Sequence, residues 1–169
     1  MMHIFVEGPD DERFFSKIYG KYWGEFIPIK YAGWTHQKIN NFIRSIDSMP
    51  DCDYIFFGDA DGQPINEKKR ILVNCFPNLD ENRICIVQYE IESWYYAGIS
   101  AEKCRDLKLK HYIYNTDALT KEMFNSKLPQ RVDRKIIMAE ILRIYELELA
   151  LERNASLLAF NNGIKKESA

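Results

Sequence analysis

Short apolar runs closed by acidic side chains constrain the fold of this chain more than any other feature. His3-Ile4-Phe5-Val6 ends in Glu7. Tyr54-Ile55-Phe56-Phe57-Gly58 ends in Asp59 and Asp61, and Ile84-Cys85-Ile86-Val87 is followed by Glu90 and Glu92. A short, continuous apolar run bounded by turn residues reads as a strand buried on both faces. Phe26-Ile27-Pro28-Ile29-Lys30-Tyr31 alternates and supplies another strand, which Pro28 assigns to an edge or a bulge. Arg83–Val87 reads as a central strand, like Tyr54–Phe57.

Helical spacing fills the intervals. Phe14, Phe15, Ile18, Tyr19 and Tyr22 mark one buried face, preceded by Asp10 and Asp11 at a helix start. Thr35 caps a segment carrying Ile39, Phe42, Ile43 and Ile46, which ends at Met49-Pro50-Asp51. Asn66–Phe76 forms the next helix, stopped by Pro77. The order β-α-β-α-β-α-β predicts an α/β fold, Rossmann-like, with a central parallel sheet of about four strands flanked by helices. After Ser100 the pattern is helical. Arg131–Leu151 predicts one long helix with Ile136, Ile137, Glu140, Ile141, Ile144 and Tyr145 in register, and Ala155–Ile164 a short one closed by Gly163. Asp106–Tyr114 is ambiguous. The expected organisation is an α/β core over 1–99 and a helical C-terminal extension over 100–169 packed on the same domain.

In a parallel sheet the carboxyl ends of the strands share one edge, and ligands bind outside it. Three strands would bring their acids to that edge. Clustered carboxylates repel, and taking each from water costs several kcal/mol unless a cation sits among them. A hard divalent cation with oxygen ligands answers this, with Mg²⁺ first and Mn²⁺ able to substitute. Glu7, Asp11, Asp59, Asp61, Glu90 and Glu92 are the candidate ligands. Asp59 and Asp61 are two apart in a strand-like loop, which would put both on one side, and the same spacing relates Glu90 and Glu92. Gly8 is expected to let the chain turn tightly after Glu7.

Composition removes other classes. Hydrophobic residues make up 46% of the 169 and aromatics 14%, so the chain is globular. No apolar run reaches the length of a membrane span, and the start carries no signal-peptide pattern, so a cytoplasmic protein is expected. Cys52, Cys75, Cys85 and Cys104 show no Cys-x-x-Cys spacing and read as free thiols. His3, His36 and His111 are scattered, which argues against zinc. No glycine-rich nucleotide fingerprint is present. The net charge of −2 conceals an acidic stretch over 1–99 and a mildly basic one over 100–169. The basic half suits phosphates but is no stronger than ordinary surface.

Val6-Glu7-Gly8-Pro9-Asp10-Asp11 resembles the Glu-Gly-x-x-Asp motif that opens the TOPRIM domain. That fold is shared by topoisomerases, bacterial primases, small ribonucleases and overcoming-lysogenization-defect (OLD) nucleases. Asp59-Ala60-Asp61 is similar to its Asp-x-Asp motif at the end of the third strand. Glu90-Ile91-Glu92-Ser93-Trp94 resembles the Glu-Ile-Glu-x-Trp signature of small stand-alone TOPRIM proteins near the OLD nucleases. The resemblance covers about residues 3–98, and more loosely Arg134-Lys135 and Asn154–Lys166. Pro9-Asp10 and Pro64 depart from the pattern. The resemblance implies a Mg²⁺-dependent nuclease of DNA or RNA, with Glu7 as general acid/base and, by looser analogy with OLD nucleases, Lys135 as a cation for the transition state. It also implies, by analogy alone, a separately encoded ATPase partner in phage defence. A homodimer is compatible with it.

Plainer readings stand beside these. Asp10 and Asp11 suit a helix N-terminus. Trp94 reads as a core anchor, and Lys135 as a surface lysine. Tyr95, Tyr96, Tyr112 and Tyr114 can stack on bases, although half-buried packing is the default for tyrosine. The competing function is a non-catalytic TOPRIM-like binding or regulatory subunit of an ATPase complex. A haloacid-dehalogenase-like phosphatase is disfavoured, because its Asp-x-Asp closes the first strand and here Glu7 does.

Overall fold

The computed structural model describes residues 1–167, with side chains to Ile164. It divides into two compact units, 1–87 and 88–169.

The first unit is built on four parallel strands: β1 (Met2–Val6), β2 (Phe26–Lys30), β3 (Asp53–Asp59) and β4 (Ile84–Val87). Their order is β2-β1-β3-β4, and every neighbouring pair is parallel. β2 lies at an edge, where Pro28 lacks no needed donor. β3 is central, as its unbroken apolar run requires. β4 occupies the other edge, so the central position expected for it is corrected: apolar composition reports burial of the faces, and Ile84, Ile86 and Val87 are buried there.

Crossover helices cover both faces, because side chains of period two send apolar groups both ways. Between β1 and β2 the chain forms α1 (Pro9–Phe14), a π-helical segment (Phe15–Tyr19) and α2 (Gly20–Tyr22). The Phe15 ring meets Phe57 edge-on at 5.0 Å on this side. On the opposite side α3 (His36–Asp47) inserts Ile39, Ile43 and Ile46 against Phe5, Ile29, Tyr54 and Phe56. Thr35 caps α3 by accepting from the Lys38 amide at 3.2 Å. α4 (Ile65–Cys75) joins β3 to β4, and Leu72 and Val73 add to the same core.

The second unit is helical: α5 (Glu92–Ala97), α6 (Ala101–Asp106), α7 (Lys121–Lys127), α8 (Arg134–Arg143), α9 (Leu147–Arg153) and α10 (Ala155–Glu167). Trp94 is its anchor. The side chain is fully buried, and its indole N–H donates to Ser156 Oγ at 2.8 Å. The single long helix expected over Arg131–Leu151 is two helices, and the break has a tertiary cause. The Tyr145 hydroxyl donates to Trp94 O at 2.7 Å, and the Glu146 amide donates to Gly98 O at 2.9 Å, leaving the helical ladder. Ile136 is exposed, whereas Ile137, Met138, Ile141 and Leu142 carry the buried face of α8. Gly163 lies inside α10 and does not close it.

All four cysteines are free thiols. Among the described residues no helix is long and apolar enough to cross a membrane.

Candidate metal centre

The sheet order reverses direction between β1 and β3. The chain leaves β1 toward β2 on one side and leaves β3 toward β4 on the other, with the connecting helices on opposite faces. Such a switch point opens a crevice beyond the carboxyl ends of the two strands, the usual ligand position in open α/β sheets. Glu7 follows the last residue of β1 and is exposed. Asp59 is the last residue of β3 and is half-buried, with its Oδ1 atom buried. Phe5 and Phe56 are register partners in these adjacent strands, which lie about 4.8 Å apart as strands do. Two carboxylates therefore flank the switch point.

A third group joins them from β2. Tyr31 follows that strand, and its amide donates to Val6 O at 3.2 Å. Its ring stacks on Phe56 at 4.9 Å, and its hydroxyl donates to Phe57 O at 3.4 Å. Burial, and then the negative charges of Glu7, Asp11 and Asp59, push the phenol far above its ordinary range. Three acids nominated by the sequence thus act on one hydroxyl, which stays protonated and able to donate. Tyr31 was not among the residues expected at the site. Its signal is positional: any residue just past a strand in a parallel sheet reaches the same edge.

Asp11 has a second task. It is buried, and its Oδ2 accepts from the Gly8 amide at 2.9 Å, closing the start of α1. The helix-start reading of Asp11 holds, alongside its place near Tyr31. Gly8 itself is extended, with φ −116° and ψ 169°, so no tight turn demands glycine there. A Cβ on it would meet nothing nearer than Asp11 Oδ2 at 3.6 Å.

Asp61 departs from the expected alternation. The Gln63 amide donates to Ala60 O at 2.9 Å, and Asp61 and Gly62 have φ of 51° and 79°. That is a tight turn with both central residues left-handed, of type I′ character. The period of two ends at Asp59, and Asp61 is exposed in the turn beyond it.

Glu90 and Glu92 belong to the second unit, and both are engaged within it. Glu90 Oε2 accepts from the Lys121 amide at 2.6 Å, at the start of α7. Glu92 is only 3% exposed and is bonded to the guanidinium of Arg134. Arg134 Nε donates in turn to Asn125 Oδ1 at 2.9 Å. The extended Glu-Ile-Glu expected from spacing is not formed, because Ile91 is already helical and Glu92 opens α5. Arg134, beside the nominated Lys135, is the cation that holds a carboxylate. Lys135 is exposed, and its amide is capped by Asp133 Oδ1 at 2.8 Å.

Among the described residues no three or more His, Cys, Asp or Glu side chains form a group fit to hold a metal ion. An all-protein cage of the calcium or zinc kind calls for such a group. Mg²⁺ asks for less: it keeps several waters and takes one or two carboxylates plus substrate phosphate. The hard oxygens of Glu7 and Asp59 fit that smaller demand. No family model matches the chain, and neither a curated protein nor a solved structure matches it.

Proposed function

We propose that this chain is a Mg²⁺-dependent phosphodiester hydrolase acting on DNA or RNA, of the TOPRIM type that its motifs resemble. The observation that carries the reading is the pair Glu7 and Asp59 at the ends of adjacent parallel strands, flanking the switch point and acting with Asp11 on the Tyr31 hydroxyl. Glu7 and Asp59, with Asp61 from the adjoining turn, would hold the ion. Bound there, Mg²⁺ would offset the carboxylate charge and act as a Lewis acid toward the scissile phosphate. Glu7 is exposed and takes the proton of the attacking water. Tyr31, held neutral, keeps its hydroxyl proton on Phe57 O beside these carboxylates.

The test incubates purified protein with plasmid DNA, single-stranded DNA and tRNA in Mg²⁺ and in Mn²⁺, with and without a separately encoded ATPase. Cleavage that is lost on chelation and in Glu7→Gln supports the reading. Cleavage that survives Glu7→Gln removes Glu7 from the chemistry.

A second reading has its own observation. Glu90 and Glu92 are occupied by the α7 amide and by Arg134, so two of the six nominated ligands already serve the fold. A non-catalytic binding or regulatory subunit, working with an ATPase, needs no more than that. Metal binding without cleavage of any of these substrates, with the ATPase supplied, favours it.

A further inference from the structure

The second unit carries an aromatic and basic surface that the strand-end acids leave unexplained. Of the four tyrosines able to stack on bases, Tyr95 and Tyr96 are fully buried. Tyr112 and Tyr114 are 38% and 55% exposed. They lie in the segment between α6 and α7, together with exposed Lys108, Lys110 and His111, and exposed Arg105 stands in the last turn of α6 just before it. Glu102 and Asp106 on α6 and Glu152 on α9 are exposed acids of the same unit, and Glu152 Oε2 accepts from the Tyr114 hydroxyl at 3.2 Å.

The segment is pinned. Lys108 and His111 are left-handed, with φ of 57° and 51°. The Lys110 amide donates to Lys127 O at 2.9 Å, and Lys127 Nζ donates to His111 O. Arg153, 1% exposed, donates to Tyr114 O at 2.7 Å and Ile113 O at 2.7 Å from below. Its guanidinium also lies over the rings of Tyr112 at 5.1 Å and Tyr114 at 5.6 Å. A buried cation therefore backs both rings, while their remaining exposure leaves aromatic surface to solvent. Two rings fixed before any ligand arrives, in a segment that carries exposed Lys108 and Lys110, lower the ordering cost of binding.

We infer that Tyr112 and Tyr114 form a stacking platform for single-stranded nucleic acid, with Lys108, Lys110 and Arg105 meeting its phosphates. Paired bases hide their faces, whereas unpaired ones offer them to aromatic side chains, whatever the sequence. Exposed Lys108 and Lys110 complement the phosphate backbone. The inference rests on nucleic acid being the substrate and adds that it is bound as an unpaired strand.

The experiment measures fluorescence anisotropy of labelled oligo-dT and oligo-U in EDTA, against a duplex and an abasic strand of equal length. Both oligonucleotides should bind the wild-type protein about tenfold or more tightly than the duplex or the abasic strand. Tyr112→Ala and Tyr114→Ala should each weaken binding on the order of tenfold. Tyr112→Phe and Tyr114→Phe keep the ring and should bind as the wild type does, which separates stacking from misfolding. Lys110→Gln should make the salt dependence shallower. Equal affinity for the duplex, no binding by the wild type, or alanine variants that bind unchanged would overturn the platform. Because EDTA removes the metal, strand binding without cleavage under any condition overturns the hydrolase reading alone. Cleavage with tyrosine-independent binding overturns the platform alone.

Discussion

The guanidinium of Arg134, on α8, is bonded to the carboxylate of Glu92, the first residue of α5. The acid is buried, and the base is a quarter exposed. The motif that led Glu92 to be nominated as a metal ligand thus encodes, in the fold, an ion pair between helices.

That pair predicts a stability effect in place of a metal effect. Arg134→Met leaves Glu92 buried without this partner and should cost about 3 kcal/mol, as broken buried pairs do. Glu92→Leu combined with Arg134→Met should recover much of the loss. Urea titration of the single and double variants measures the coupling. Lost divalent-cation affinity in Glu92→Gln at unchanged stability would return Glu92 to the metal.

Asp59→Asn should reduce divalent binding sharply and raise thermal stability in metal-free buffer. Asp59 is half-buried among Glu7 and Asp11 near the Tyr31 hydroxyl, and neutralising one acid relieves like-charge repulsion. Calorimetric titration with Mn²⁺ and a melting curve in EDTA check both halves. Combining it with Asp61→Asn should add little to the stability gain, because Asp61 is exposed in its turn.

Gly98→Ala should destabilise the second unit by roughly 1–3 kcal/mol, the usual cost of overpacking. A Cβ at Gly98 would fall 2.2 Å from the Tyr145 ring. Tyr145 cannot swing aside without losing its bond to Trp94 O. If Tyr145→Ala is made in the same chain, the added cost of Gly98→Ala should vanish. Thermal denaturation of the cycle shows it.

Arg153→Met should be the most damaging single change in the second unit, on the order of 3 kcal/mol or more. Arg153 donates to the carbonyls of Tyr96, Ala97, Ile99, Ile113 and Tyr114. Methionine fills the volume and leaves those acceptors buried without their donor. Arg153→Lys should rescue only part, because one ammonium cannot span the same set of directions. Chemical denaturation compares the two.

Local pattern determined the layout of the first unit. The strand over 54–57, the edge strand marked by Pro28, the Thr35 cap and the Ile39-Ile43-Ile46 stripe follow from periodicity and turn chemistry, which short-range sterics enforce. The placement of Glu7 and Asp59 at strand ends was legible for the same reason. Tertiary structure decided the rest. Apolar content could not rank β3 above β4, since both are buried, and only the pairing order makes β4 an edge. A spacing of two could not say that Asp61 sits in a left-handed turn or that Glu92 starts a helix. Helical periodicity ran unbroken from Arg131 to Leu151, yet the Tyr145 bond to Trp94 O and the Glu146 bond to Gly98 O end one helix and begin another. Tyr31 enters the site only because parallel pairing carries the end of β2 to the edge shared by β1 and β3. The Asp61-Gly62 turn is local, closed by the Gln63 amide on Ala60 O, but the edge position of β4, the break at Tyr145 and the place of Tyr31 each depend on a partner distant in the chain, and local composition holds no record of which partner that will be.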